Sequence, residues 1–183
     1  MTTPGKKTIP PQGALELLKA DHDKVRGLFR EFEDLKGIED EDERKGQLVD
    51  EICYEITMHT MIEDEIFYPV LRSVIDDDDL MDEADVEHAG ARELISQLEV
   101  MYPGDDHYDA TVTVLGEEIA HHIEKEETDM FDAARSAGLD LDGLGAQLAT
   151  RKEELDEDLS APATSIDAVA PRDGMRHPPR PPN

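Results

Sequence analysis

Several features of disulfide-linked, membrane-spanning and aromatic-rich folds are missing from this sequence. It contains no tryptophan, and aromatic residues make up only 4% of its 183 positions, which disfavours a β-sandwich or barrel. Cys53 is the single cysteine, so no disulfide can form within the chain. No apolar run is long enough to span a bilayer, and residues 1–12 lack the apolar segment of a signal peptide. We therefore expect a soluble, cytoplasmic protein.

Basic residues are scarce relative to acidic ones. The chain has 18 lysines and arginines against 46 aspartates and glutamates, which gives a formal net charge of -28. A charge of this sign and size repels nucleic acids and anionic membranes, so neither is an expected partner. The expected partner is a small molecule, and the sequence does not define the oligomeric state.

Apolar residues recur at helical spacing in four segments, which predicts helices over about residues 14–35, 42–68, 80–101 and 108–134. Gly37, the acidic run at 76–79 and Pro103-Gly104 fall between these segments and are typical of helix ends and turns. Pro69 is expected to break or kink the second helix, because proline lacks a backbone N–H. The predicted fold is all-α, an up-down-up-down four-helix bundle.

The sequence divides into four regions. Residues 1–13 are expected to form a flexible lead, and residues 14–137 are expected to form the bundle. Residues 138–160 are expected to add a short amphipathic helix outside it. Residues 161–183 are rich in proline and have little to bury, so a disordered tail is predicted there.

Each predicted helix carries a histidine on its apolar stripe, where another apolar residue would be expected: His22, His59, His88 and His122. Two glutamates follow four residues after a histidine and share its helix face: Glu63 and Glu126. In antiparallel helices, residues equidistant from the connecting loop lie at the same height. The midpoints of successive histidine pairs fall at 40–41, 73–74 and 105, in or beside the predicted loops. The six residues are therefore predicted to meet in the core.

Such a cluster predicts a metal centre. A carboxylate buried in an apolar core is strongly disfavoured unless positive charge lies beside it. Two divalent ions would bring four positive charges against the two negative charges of the carboxylates, which leaves room for an oxide or hydroxide bridge. Imidazole and carboxylate ligands together suit iron or manganese, whereas a lone tetrahedral zinc ion would not use six ligands. We therefore expect two iron ions, held as an oxo- or hydroxo-bridged diiron centre.

These motifs resemble those of the hemerythrin-like (HHE cation-binding) domains over about residues 15–134. The motifs that carry the resemblance are Asp21-His22, His59-x3-Glu63 ending in Phe67-Tyr68-Pro69, His88, and His122-x3-Glu126 followed by Met130-Phe131. The resemblance implies a four-helix bundle with a non-haem diiron centre. It also implies that the four histidines are terminal ligands and that the two glutamates bridge the metals.

Two positions depart from the oxygen-carrying hemerythrins. The carriers have a second histidine one turn after the first on the third helix, where this chain has Arg92, and they use a longer His-to-Asp spacing on the fourth helix. One iron would therefore keep an open position, near His88 and Tyr54. Tyr54 or Glu55 is a candidate to fill it. The alternatives are that Tyr54 packs at the flank of its helix and that Glu55 faces solvent.

The open position favours redox chemistry on a small molecule, since open coordination sites are where metals react. We expect a diiron oxidoreductase that decomposes hydrogen peroxide in a catalase-like reaction or turns over nitric oxide. The alternatives are a module that binds or senses oxygen or iron without turnover, and an acidic bundle without metal. His122 rather than His121 lies on the apolar stripe, and Glu127 is the alternative carboxylate in a register one residue later.

Overall fold

The computed structural model describes residues 13–38 and 40–160, and every regular element in that part of the chain is helical. The elements are α1 (Ala14–Leu35), α2 (Asp42–Ile62), α3 (Tyr68–Arg72), α4 (Asp78–Leu98), α5 (Tyr108–Lys125), α6 (Phe131–Ser136) and α7 (Leu141–Ser160). The π-helical turns Glu63–Phe67 and Glu126–Met130 join α2 to α3 and α5 to α6. The predicted helical bundle is thereby confirmed. The predicted tail at 161–183 and nearly all of the predicted lead lie outside the described residues.

The apolar core consists of two clusters with a polar layer between them. On α1, Leu18 belongs to one cluster and Val25 to the other, and His22 lies between them. On α4, Ala84 and Ala91 flank His88 in the same way. The histidine stripe of the sequence is therefore a buried layer across the middle of the bundle.

Local capping sets the ends of the helices. The Asp77 side chain accepts a hydrogen bond from the backbone N–H of Leu80 at 3.1 Å, and α4 starts at Asp78, two residues before the predicted start. Gly37 and Gly138 follow the ends of α1 and α6 with φ of 78° and 69°. These left-handed conformations cost glycine little, so the helix end predicted at Gly37 is confirmed, and Gly138 ends α6 in the same way.

The second helical segment is longer than predicted. The sequence placed its end at Tyr68, but helical backbone continues through Pro69 to Arg72. Pro69 lies in the first turn of α3, directly after a π turn in which the Tyr68 N–H bonds to the Glu63 carbonyl. Because the missing proline N–H falls where the hydrogen-bonding register changes, the proline does not end the helix.

The last helix is part of the core. α7 packs against α1 and α2, and it buries Leu144, Leu148 and Leu155 in the same apolar cluster as Leu15 and Leu18. No helix in the described ranges combines the length and apolarity needed to cross a bilayer.

Candidate metal centre

Six buried side chains meet in the layer between the two apolar clusters. One group of donor atoms comes from His22, His59, Glu63 and Glu126, and the second from Glu63, His88 and His122. Within each group the donor atoms all lie within 4.8 Å of one another. Both glutamates are fully buried, and none of the four histidines is more than 6% exposed. The structure thus brings together the six residues that the sequence singled out.

Glu63 faces both groups. Its Oε1 lies 2.9 Å from Nε2 of His59, and its Oε2 lies 3.4 Å from Nε2 of His88. Glu126 Oε2 lies 3.0 Å from Nε2 of His22 and 4.0 Å from Nε2 of both His59 and His122. Each glutamate therefore presents its carboxylate to histidines of more than one helix.

The other nitrogen of each histidine faces an outer carboxylate. The Nδ1 atoms of His22, His88 and His122 lie 3.0, 2.7 and 2.9 Å from Glu127, Asp64 and Glu87, respectively. Nδ1 of His59 lies 3.6 Å from Asp21, which is longer than a hydrogen bond. An N–H that donates to such a carboxylate leaves the lone pair of Nε2 free, and all four Nε2 atoms point into the cluster.

The outer carboxylates form a ring around the bundle. Each comes from the helical segment beside the one whose histidine it faces: Asp21 on α1 faces α2, Asp64 faces α4, Glu87 on α4 faces α5, and Glu127 faces α1. Each is also the sequence neighbour of a cluster residue. That adjacency is the signal by which the sequence could have indicated Asp64 and Glu87.

The inner atoms fit a metal ion better than they fit one another. Nε2 of His22 lies 3.0 Å from Nε2 of His59, and Nε2 of His88 lies 3.2 Å from Nε2 of His122. Among the residues that the structure describes, neither oxygen of Glu63 or of Glu126 has a hydrogen-bond partner. Lone pairs and carboxylates that converge without enough protons between them require cations, and nitrogen and oxygen donors are what transition metals bind.

In the metal-free protein, protons on the histidines supply part of the positive charge that the carboxylates need. Burial lowers the pKa of His59, but the nearby carboxylates, led by Glu63, raise it overall to about 10. Burial likewise opposes protonation of His88, whereas Asp64 and Glu63 raise its pKa to about 9. Burial and the charge of Glu63 raise the pKa of Glu126. Burial also opposes ionisation of Glu63, but His59 and His88 together lower its pKa. A metal ion would replace the two histidine protons.

Tyr68 is a residue of the centre that the helical pattern missed. Its hydroxyl lies 3.3 Å from Nε2 of His88 and 3.4 Å from Nε2 of His122. In an α-helix, a residue five positions after Glu63 would be rotated roughly 140° away from it. The π turn with its i→i+5 bonds returns that position to the face of Glu63. Burial, together with the Glu126 and Glu63 charges, raises the pKa of Tyr68 well above its ordinary value, so the phenol keeps its proton.

The second π turn acts on Phe131 in the same way. Phe131 follows Glu126 by five residues, and its ring stacks on the imidazole of His22 with centroids 5.9 Å apart and planes 9° from parallel. Each π turn thus begins at a cluster glutamate and delivers an aromatic ring to the edge of the centre. We find no sequence signal for a π turn in the helical periodicity.

The structure does not bring Tyr54 or Glu55 to the centre. The Tyr54 hydroxyl donates to Asp156 on α7, and Glu55 accepts a hydrogen bond from Lys24 at 2.7 Å. Both side chains are held by partners outside the cluster. Tyr54 packs at the flank of its helix, as in the alternative interpretation, whereas Glu55 is buried beside Lys24 rather than turned to solvent.

The neighbouring candidates also have defined places. Arg92, at the position of the missing histidine, pairs with Asp64 at 2.9 Å and so supports the carboxylate that faces His88. His121 is mostly exposed. Glu127 faces the outer nitrogen of His22 rather than the interior of the cluster.

A helical bundle with a buried histidine–carboxylate cluster in its core defines a class of metal-binding domain. The hemerythrin HHE cation binding domain matches residues 13–134, and the chain belongs to that family. The domain binds metal cations, and the two donor groups lie inside the matched region.

Two individual proteins are similar to this chain. The crystal structure of a hemerythrin HHE cation binding domain-containing protein from Mycobacterium kansasii is 26% identical, with a TM-score of 0.68 over 80% of this chain and 89% of that one. A DNA nickase from Nostoc sp. is 27% identical over 121 residues, which is 66% of this chain and 33% of the relative. The chain thus spans about a third of the length of that curated relative.

Proposed function

We propose that the cluster holds two iron ions and that the protein is a diiron oxidoreductase acting on a small oxidant, either hydrogen peroxide or nitric oxide. The main support for this proposal is the position of Glu63. Its Oε1 faces a histidine of the first donor group, and its Oε2 faces a histidine of the second. In this assignment His22, His59 and Glu126 would hold one iron, His88 and His122 would hold the other, and Glu63 would contribute to both. The mixed imidazole and carboxylate donor set suits iron.

Burial of the cluster supports a small substrate. The donor residues are between 0% and 6% exposed, so a bulky organic molecule has no surface through which to reach them. Hydrogen peroxide and nitric oxide are small enough to enter through ordinary fluctuations of the helices.

The difference between the two donor groups supports enzymatic turnover rather than reversible carriage of oxygen. The first group has two histidines and both glutamates, whereas the second has two histidines and only Glu63. Bound iron would supply the electron transfer, and an iron with fewer protein ligands has room for the substrate. Tyr68 lies beside this second group, where its hydroxyl can donate a proton to a bound small molecule.

Residues 14–137 form the metal-binding unit in this proposal. The likeness to a DNA nickase does not lead us to propose DNA cleavage. The net charge of -28 repels a phosphate backbone, and a buried cluster cannot contact one.

The ring of outer carboxylates favours a second candidate, an oxygen- or iron-sensing module without turnover. Because each helix of the bundle reaches the cluster, occupancy of the centre would change the stability of the whole bundle.

Peroxide added to iron-loaded protein separates the two candidates. An oxidoreductase of the catalase type releases oxygen steadily, and the rate follows enzyme concentration. A sensor shows one stoichiometric spectral change and no continued release. Protein loaded with zinc, which has no redox chemistry, is the control. If iron-loaded protein turns over neither peroxide nor nitric oxide, the oxidoreductase assignment is wrong.

A further inference from the structure

We propose that α7 completes the metal centre, with Lys152 as the residue that positions His59 by holding Asp21. This inference rests on the proposed metal centre. It adds a part of the chain that lies beyond the region matched by the family, which ends at residue 134.

Each outer carboxylate of the ring is held by a cation. Arg26 pairs with Glu127 at 2.7 Å, Arg92 with Asp64 at 2.9 Å, Lys125 with Glu87 at 2.9 Å, and Lys152 with Asp21 at 2.5 Å. The first three cations come from helices of the bundle itself. The fourth comes from α7, so the ring is complete only when α7 is docked.

Asp21 depends on Lys152 more than the other carboxylates depend on their cations. Its Oδ1 binds Lys152, and its Oδ2 is buried without a hydrogen-bond partner in the described part of the chain. Nδ1 of His59 is also buried without such a partner, and it faces this Oδ2 at 3.6 Å. Each is therefore the available partner of the other. Without the ammonium group of Lys152, burial of the Asp21 carboxylate is unfavourable, and we expect the side chain to turn toward water. His59 would then lose its partner.

A second ion pair fixes the position of α7. Arg151 donates from Nε and Nη2 to the two oxygens of Glu65 at 2.6 and 3.2 Å, a bidentate pair that fixes orientation. Glu65 lies in the π turn that begins at Glu63. α7 therefore holds the partner of one metal-facing histidine and the turn that carries the shared glutamate.

Docking of α7 and metal binding must then favour each other. If Lys152 tightens metal binding through Asp21, metal binding must tighten the docking of α7 by the same factor. We expect slower amide exchange in α7 when the full chain holds metal than when it is metal-free.

The test compares ferrous iron affinity, measured anaerobically by competition with a chelator, in full-length variants. Lys152→Met should weaken binding about tenfold, in line with other residues that support metal ligands, and Lys152→Arg should restore most of it. Lys36→Met is the matched control. Lys36 has a side-chain exposure of 34% against 28% for Lys152, and it pairs with Glu33 away from the cluster.

A double-mutant cycle separates positioning from simple stabilisation. Asp21→Asn should itself weaken iron binding, and Lys152→Met should add no further loss in that background if Lys152 acts through Asp21. Additive losses, or equal affinities of wild type and Lys152→Met, overturn this inference alone. A wild-type chain that binds no metal overturns the proposed function and this inference with it.

Discussion

The hydroxyl of Tyr68 lies 3.3 Å from Nε2 of His88, and the two rings stack with centroids 5.2 Å apart. The phenol is buried among the donor atoms of the second group, where the sequence predicted an open position. Its proton is thus placed where a bound small molecule would need one.

Replacement of Tyr68 by phenylalanine removes this proton and keeps the ring. We expect Tyr68→Phe to retain its iron and to lower the rate of peroxide or nitric oxide turnover by about a hundredfold, the usual effect of losing a positioned acid. Steady-state assays with iron counted in the same sample measure this.

Tyr102→Phe is the control, because Tyr102 is 75% exposed and belongs to neither donor group. It should leave the turnover rate unchanged. Equal rates in Tyr68→Phe and wild type would remove Tyr68 from the reaction.

His59→Ala should lower iron content and melting temperature together. The imidazole faces Glu63 at 2.9 Å, so its loss removes a proposed metal ligand and, in metal-free protein, a positive charge beside a buried carboxylate. Breaking a buried ion pair of this kind costs about 3 kcal/mol. Metal analysis and thermal melts of both forms measure the two effects.

His121→Ala is the matched control, because His121 lies mostly in solvent on the same helix as His122. It should keep full iron content and melt like wild type. Unchanged iron content in His59→Ala would count against the ligand assignment.

Glu126→Gln should have opposite effects on the melting temperatures of the metal-free and the metal-loaded protein. Burial and the Glu63 charge raise the pKa of Glu126, so its ionised form destabilises the metal-free fold. Removing that charge should raise the melting temperature of metal-free protein, by about 3 °C for each kcal/mol relieved. The loaded protein should lose iron affinity and melt lower.

Glu124→Gln removes the same charge from an exposed position two residues away and should change neither form. A metal-free Glu126→Gln protein that melts below metal-free wild type would show that Glu126 is stabilising without metal, contrary to this account.

The stability of metal-free protein should depend on pH in the alkaline range. The pKa of His59 is raised from 6.5 to about 10 and that of His88 from 6.5 to about 9. A histidine whose pKa is higher in the folded state contributes stability that is complete below pH 6.5 and is lost as the pH rises through the folded value. Melting temperatures of metal-free protein should therefore fall between pH 7 and 10. A flat profile would contradict the raised pKa values.

Metal binding near neutral pH should release protons from His59 and His88, because both are protonated in the metal-free protein. Calorimetric titration in buffers of different ionisation enthalpy counts these protons. The same competition predicts that acid displaces the metal. Full metal retention well below pH 5 would contradict histidine ligation.

The bundle and the six central residues were predictable because they follow the α-helical period. Each histidine interrupts an apolar stripe, and the loop midpoints place all four at one height. Both features depend only on the regular helical repeat, which the spacing of apolar residues in the sequence shows.

The contacts of Tyr68 and Tyr54 were not predictable from that period. A π turn shifts the face of every residue after it, so Tyr68 reaches the cluster although the α-helical pattern turns it away. Tyr54 was a candidate by proximity in sequence, but α7 supplies Asp156 as its partner. The pairing of α7 with α2 is a long-range contact that no local pattern indicates.

Anaerobic titration of metal-free protein with ferrous iron, with bound iron counted after gel filtration, tests the central claim most directly. We expect saturation at two irons per chain, one for each donor group. Saturation at one iron, or no retained iron, would contradict it.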